Sequence, residues 1–73
     1  MNCDQIRQLI VQNIPDAVVE VNSFDDVHFE IKVTSAVFVT QSRIAQHRTV
    51  MQILQPHILT GQIHAAALKT FRP

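Results

Sequence analysis

The sequence predicts an α+β domain of order αββαβ, in which a three-stranded mixed sheet carries its helices on one face. Three observations carry that expectation. From His28 to about Ser35 the chain alternates, with Phe29, Ile31 and Val33 on one side and His28, Glu30, Lys32 and Thr34 on the other. Such a period of two marks a strand with one packed and one wet face. Apolar residues at helical spacing stand before and after it. Finally, a strand, a long helical crossover and another strand imply a parallel pair with a right-handed connection.

The elements follow in order. Asp4 is expected to cap a first helix reaching about Asn13, with Ile6, Leu9, Ile10 and Ile14 on its apolar face, and Pro15-Asp16 ends it. Ala17 to Asn22 is short and β-branched, hence a strand. Ser23-Phe24-Asp25-Asp26 turns the chain into the alternating strand, giving an antiparallel hairpin. Thr40 or Ser42 should cap the second helix. Its expected apolar stripe is Ile44, Met51, Leu54 and Ile58, with His47 alongside. Pro56 either stops that helix near Gln55 or restarts it after a kink. Gly61, the only glycine, suits a helix C-terminus. The third strand is expected from Gln62 to about Phe71. Phe29, Ile31, Val33, Ile44, Met51, Leu54, Ile63 and Leu68 form the expected core.

Seventy-three residues make one domain, 1–73, and 47% hydrophobic content suits a packed fold. Only four aromatics are present, all Phe, so aliphatic side chains must build most of the core. Six Lys and Arg balance six Asp and Glu. A nucleic-acid binder normally concentrates a basic surplus on one face, and composition gives no such surplus. The single Cys3 cannot form an internal disulfide, which reads as a reducing compartment. No apolar run of ~18 residues and no secretion signal is present. The chain is expected to be a soluble, cytoplasmic monomer. No nucleophile–base–orienter spacing is readable around Cys3 or elsewhere, and the chain reads as no enzyme.

Three segments carry a more specific signal. They are His28-Phe29-Glu30-Ile31-Lys32-Val33, then Ser42-Arg43-Ile44-Ala45-Gln46-His47-Arg48-Thr49-Val50, then Gly61-Gln62-Ile63-His64-Ala65-Ala66-Ala67-Leu68-Lys69-Thr70. In this order and spacing they resemble the BolA family of small stress and iron–sulfur proteins. There, an Ile-His-Ala strand entry follows a helix that opens on Ser and carries a His-Arg pair. The resemblance spans roughly residues 4 to 73. It implies the same αββαβ order, similar to a type II KH domain. Family members normally add a final helix after a Thr-Pro pair, where this chain has Arg72-Pro73.

The resemblance also implies chemistry. The family's His at the position of His64 is expected to ligate metal, and neutral imidazole is a good borderline donor for iron. A second ligand is expected from the loop between the first two strands, as Cys or His. The thiol-type position falls near Asp25, which has no sulfur. His28 is the nearest imidazole, and Asp25 offers a harder oxygen donor. The implied function is an adaptor that pairs with a monothiol glutaredoxin and shares a [2Fe–2S] cluster with it and with glutathione. No cofactor is expected to bind tightly to the isolated chain. His47 is expected to pack, Arg48 to pair or meet a partner, and His57 to lie on the surface.

The rival reading is a BolA-type transcription regulator acting in stress response and cell morphology. Arg43, Arg48 and Lys69, with Lys32, would supply a weak basic patch. KH domains clamp RNA with a GXXG loop, and Phe38-Val39-Thr40-Gln41-Ser42 has no such motif. DNA binding is therefore expected to be weak and lost at physiological salt. A third reading is an interaction domain whose open sheet face or edge takes an unrelated protein.

Overall fold

The structure, a computed structural model, describes residues 1–73. Helix α1 spans Cys3–Asn13 and opens on Asn2, not on Asp4. The Asn2 side chain accepts the Gln5 N–H at 2.8 Å, and the Gln5 side chain accepts the Asn2 N–H at 2.9 Å. This reciprocal pair satisfies two of the helix's free donors, and it needs its acceptor three residues before its Gln. Asp4 lies in the first turn, where its carboxylate pairs with Arg7 at 3.2 Å.

Strand β1 is Val18–Asn22 and strand β2 is His28–Thr34. They pair antiparallel, from Val18 with Thr34 to Asn22 with Glu30. A 3-10 turn, Ala36–Thr40, follows with Ser35 as its cap. Helix α2 is Arg43–Leu59, capped by the Ser42 side chain. Strand β3, Ala65–Phe71, then runs parallel to β2, from His28 beside Ala65 to Thr34 beside Phe71. The sheet order is β1-β2-β3, so β2 is central. The expected αββαβ architecture and mixed sheet are present. The 3-10 turn is an addition that the sequence did not signal.

The core sits between the helices and one sheet face. It joins Ile6, Ile10 and Ile14 to Phe29, Ile31 and Val33, with Phe38, Val50, Leu54 and Ile63. Burying each such side chain stabilises the fold by roughly 1.5–3 kcal/mol. The alternation of β2 is realised as expected, with Phe29, Ile31 and Val33 buried and His28, Glu30 and Lys32 exposed. Met51 and Leu68 are half-buried against this core.

Helix α2 differs from expectation in phase. Ile44 is 68% exposed, whereas Gln46 is 5% exposed and lines up with Val50 and Leu54. The inward face is thus turned by a little under one helical step of ~100° from the expected stripe. Apolar residues occur on several sides of this helix, so periodicity alone could not select the face. Gln46 tolerates burial because its polar atoms are all engaged. Its amide donates to the Phe38 and Gln41 carbonyls at 3.1 and 3.0 Å, and its oxygen accepts from the Thr70 hydroxyl at 2.7 Å. Arg72 reaches the same two carbonyls at 3.3 and 3.2 Å.

Pro56 neither ends nor restarts α2, which runs through it to Leu59. The ring removes one backbone donor, only one turn remains beyond it, and Thr60 bonds back to the Pro56 carbonyl. Gly61 takes φ +78° directly after the capping Thr60 and bonds to Ile58, the left-handed conformation expected of it. The third strand starts at Ala65, later than the expected Gln62. Residues 61–64 turn instead, with the Ile63 N–H bonded to the His57 carbonyl at 3.1 Å. His57 is half-buried rather than a free surface residue, because Nδ1 meets the Gln62 side chain at 2.6 Å.

Candidate functional site

The β1–β2 loop is a dense hydrogen-bonded turn. Asp26 adopts φ +55°, a left-handed conformation that Asp tolerates better than most residues. Ser23 Oγ accepts the Asp26 N–H at 3.0 Å. Its single proton has two candidate acceptors, the His28 carbonyl at 2.6 Å and Asp25 Oδ1 at 3.1 Å, and the shorter contact is to His28. Asp25 Oδ1 accepts the N–H groups of Val27 and His28 at 3.0 and 2.9 Å. Its Oδ2 lies 2.8 Å from His28 Nδ1. The bond to the His28 ring, followed by the two backbone N–H bonds, holds the Asp25 carboxyl far below the usual carboxylate range.

His28 follows as the first residue of β2, pinned by its backbone and by one ring nitrogen. Its side chain is 64% exposed, against 33% for Asp25, so the imidazole stands outward with the carboxylate behind it. His64 lies in the bend one residue before β3, not within the strand. Its N–H, like that of Ala65, bonds to the Val27 carbonyl, at 3.3 and 3.4 Å respectively. Parallel pairing places Ala65 beside His28. Asp25, His28 and His64 are therefore brought to one end of the sheet, the entry end of β2 and β3. Asp25 and His28 touch through their side chains, and His64 joins them through the backbone. No trio of His, Cys, Asp or Glu side chains converges in a metal-holding group.

The basic residues sit elsewhere and apart. Arg43, in the first turn of α2, shares a polar cavity of about 290 Å³ with Arg72, Gln46 and Thr70. Lys69 lies beside Lys32 on the open sheet face, in a different cavity. Arg48 is exposed on α2, and His47 is half-buried. Arg43 and Lys69 thus do not line a common cavity.

Beside His28, the small side chains of Ala65 and Ala67 leave a groove of about 540 Å³ on the open sheet face, edged by Phe24 and Glu30. Phe24 is 97% exposed. By sequence Phe24 belongs to a turn, although a lone aromatic in a polar loop is itself a contact signal. The Asp25–His28 bond had a signal too, since Asp side chains bond to backbone N–H groups two and three residues on in turns.

The family described as BolA-like protein matches residues 11–73, from the end of α1 to the end of the chain. A BolA-like protein of Dictyostelium discoideum is 33% identical over all 73 residues, which span 58% of that relative's length. An uncharacterized protein of Haemophilus influenzae is 31% identical over 71 residues, covering 97% of this chain and 82% of its own. Among solved structures, a BolA homologue from Coxiella burnetii superposes with a TM-score of 0.85 at 31% identity, covering 100% of this chain and 92% of that one. The architecture, the match over most of the chain and these identities agree: the chain belongs to the BolA-like family.

Proposed function

We propose that this protein is a BolA-like adaptor that pairs with a monothiol glutaredoxin and holds one side of a shared [2Fe–2S] cluster. It acts in a reducing, cytoplasmic compartment without catalytic turnover. The observation that carries the reading is the placing of His64 at the same end of the sheet as the bonded Asp25–His28 pair. Two imidazoles suit iron in a cluster, as neutral nitrogen donors replacing thiolates. The residues present therefore fit such a group: His64 would supply one donor and the Asp25–His28 pair the other. The glutaredoxin active-site Cys and a glutathione thiol would supply the rest. When bound, the cluster supplies one-electron redox capacity and a transferable iron–sulfur unit.

This chain's own residues present and orient the donors. The loop bonds of Ser23 and Asp25 fix His28 before any partner arrives, which lowers the ordering cost of binding. The groove beside His28, with Phe24 at its edge, offers a partner an apolar contact next to the donors. No helix of the chain is long and apolar enough to cross a membrane.

The test mixes the protein with a monothiol glutaredoxin, glutathione, iron and sulfide, and follows visible absorption and circular dichroism. His64→Ala should keep the fold and abolish or alter the mixed-cluster spectrum, whereas Arg48→Ala should leave that spectrum unchanged. A spectrum for His64→Ala identical to the parent's would refute the ligand assignment and favour a cluster-independent interaction domain.

A further inference from the structure

The bonding of the β1–β2 loop separates the roles of Asp25 and His28. An ionised carboxylate carries no proton, so an oxygen–nitrogen contact of 2.8 Å between Asp25 Oδ2 and His28 Nδ1 requires the proton to be on Nδ1. In neutral imidazole the other nitrogen, Nε2, is then bare. Asp25 Oδ1 is already occupied by two backbone N–H groups, those of Val27 and His28. The carboxylate is thereby fixed to the same stretch of backbone that carries the ring it orients. It is also the less accessible of the two side chains. A carboxylate behind an imidazole is the arrangement that selects a tautomer and fixes the ring's orientation.

We propose that Asp25 is the positioning residue for His28: it holds the ring as the Nδ1–H tautomer, so that Nε2 is the donor toward metal and Asp25 is not a ligand. This assignment rests on the ligand reading above and completes it, because it chooses between the two loop candidates. It also accounts for an Asp at a position where a thiol would otherwise be the direct donor. Here the carboxylate acts through the imidazole three residues on.

The decisive test needs no metal. In uniformly ¹⁵N-labelled, metal-free protein, long-range proton–nitrogen correlation spectra report which His28 nitrogen carries the proton. The parent should show the Nδ1–H form. Asp25→Asn keeps an oxygen for the backbone N–H groups but turns an NH₂ donor toward Nδ1. The tautomer should then reverse to Nε2–H, with the backbone amide spectrum little changed. Asp25→Ala, which presents neither group, should lose the Nδ1–H preference. Asp26→Asn, one residue away, should keep it. An Nε2–H tautomer in the parent, or an unchanged tautomer in Asp25→Asn, would overturn the proposal.

The mixed cluster supplies a second readout. Asp25→Asn should lose it to a chelator roughly 10–100-fold faster than the parent, the usual effect of removing an orienting partner. Loss at the parental rate would overturn the metal-directed role of Asp25. The outcomes separate the two readings. If the parent forms no mixed cluster while the tautomer responds as described, the cluster function fails and the orienting bond stands. If the cluster forms and depends on His28 while the tautomer ignores Asp25, the cluster function stands and the positioning role fails.

Discussion

Gln46 gives the sharpest test of how the fold is held, because its replacement can be worked bond by bond. Gln46→Leu keeps similar volume on the inward face of α2 but removes three hydrogen bonds. The Phe38 carbonyl still accepts from Arg72 and from the Gln41 N–H, and the Gln41 carbonyl still accepts from Arg72. Only the Thr70 hydroxyl, in a residue 8% exposed, loses its acceptor outright. One orphaned buried donor costs about 1–3 kcal/mol. In urea unfolding that should lower the midpoint by on the order of 1 M at unchanged slope. Thr70→Val in the same chain removes the orphan, so the double variant should recover at least half of the loss. The cycle then yields a coupling of about 0.5–3 kcal/mol. A neutral Gln46→Leu, or a double variant as unstable as the two single losses added, would refute this account of the network.

The remaining predictions concern core phase and acid stability. Leu54→Ala should cost about 2–5 kcal/mol, whereas Ile44→Ala should stay within about 0.5 kcal/mol; chemical denaturation of both variants checks the helix rotation directly. The carboxyls of Asp25 and Asp16 are both held below their ordinary value of 3.8, Asp25 chiefly by the His28 ring and Asp16 chiefly by the Ser35 hydroxyl. A depressed folded-state pKa adds stability that is present above the unfolded value and lost as pH falls through the folded one. Stability should therefore decline below about pH 4. A variant carrying both Asp25→Asn and Asp16→Asn should show a flatter decline in urea midpoint against pH, and an unchanged slope would count against these bonds.

Legibility varied with how local each signal was. The alternation of Phe29, Ile31 and Val33 reports burial directly, because a strand with one packed face repeats every two residues. Gly61 was equally readable, since its left-handed backbone follows from local sterics alone. The phase of α2 was not, because Ile44, Met51, Ile53 and Ile58 leave several faces apolar and the winning one contains a glutamine. That choice depends on Phe38 and Gln41 in the irregular approach to the helix and on Thr70 in the next strand, which supply the partners that make Gln46 acceptable inside. The Asp4 expectation failed for a smaller reason, as Asn2 and Gln5 form a reciprocal cap that starts the helix two residues earlier. At the candidate site, His64, His28 and Asp25 were all named from sequence. Their different bonding is visible only atom by atom around the loop, which residue type does not encode.

The register of the sheet has a kinetic consequence. In the β1–β2 hairpin, partners lie 16 positions apart at Val18 and Thr34 but only 8 apart at Asn22 and Glu30, so pairing can begin beside the turn and zip outward. The parallel ladder has no such starting point. His28 pairs with Ala65 and Thr34 with Phe71, in both cases 37 positions on, and every rung between closes a loop of the same length. Closing a loop of that size costs roughly 3 kcal/mol beyond a constant, and no first rung is cheaper than another. Docking of β3 is therefore expected to be the slow, late event of folding. Until it occurs, His28 can be fully formed on its hairpin while His64 remains at large, so the two residues reach the same end of the sheet only in the last step of folding.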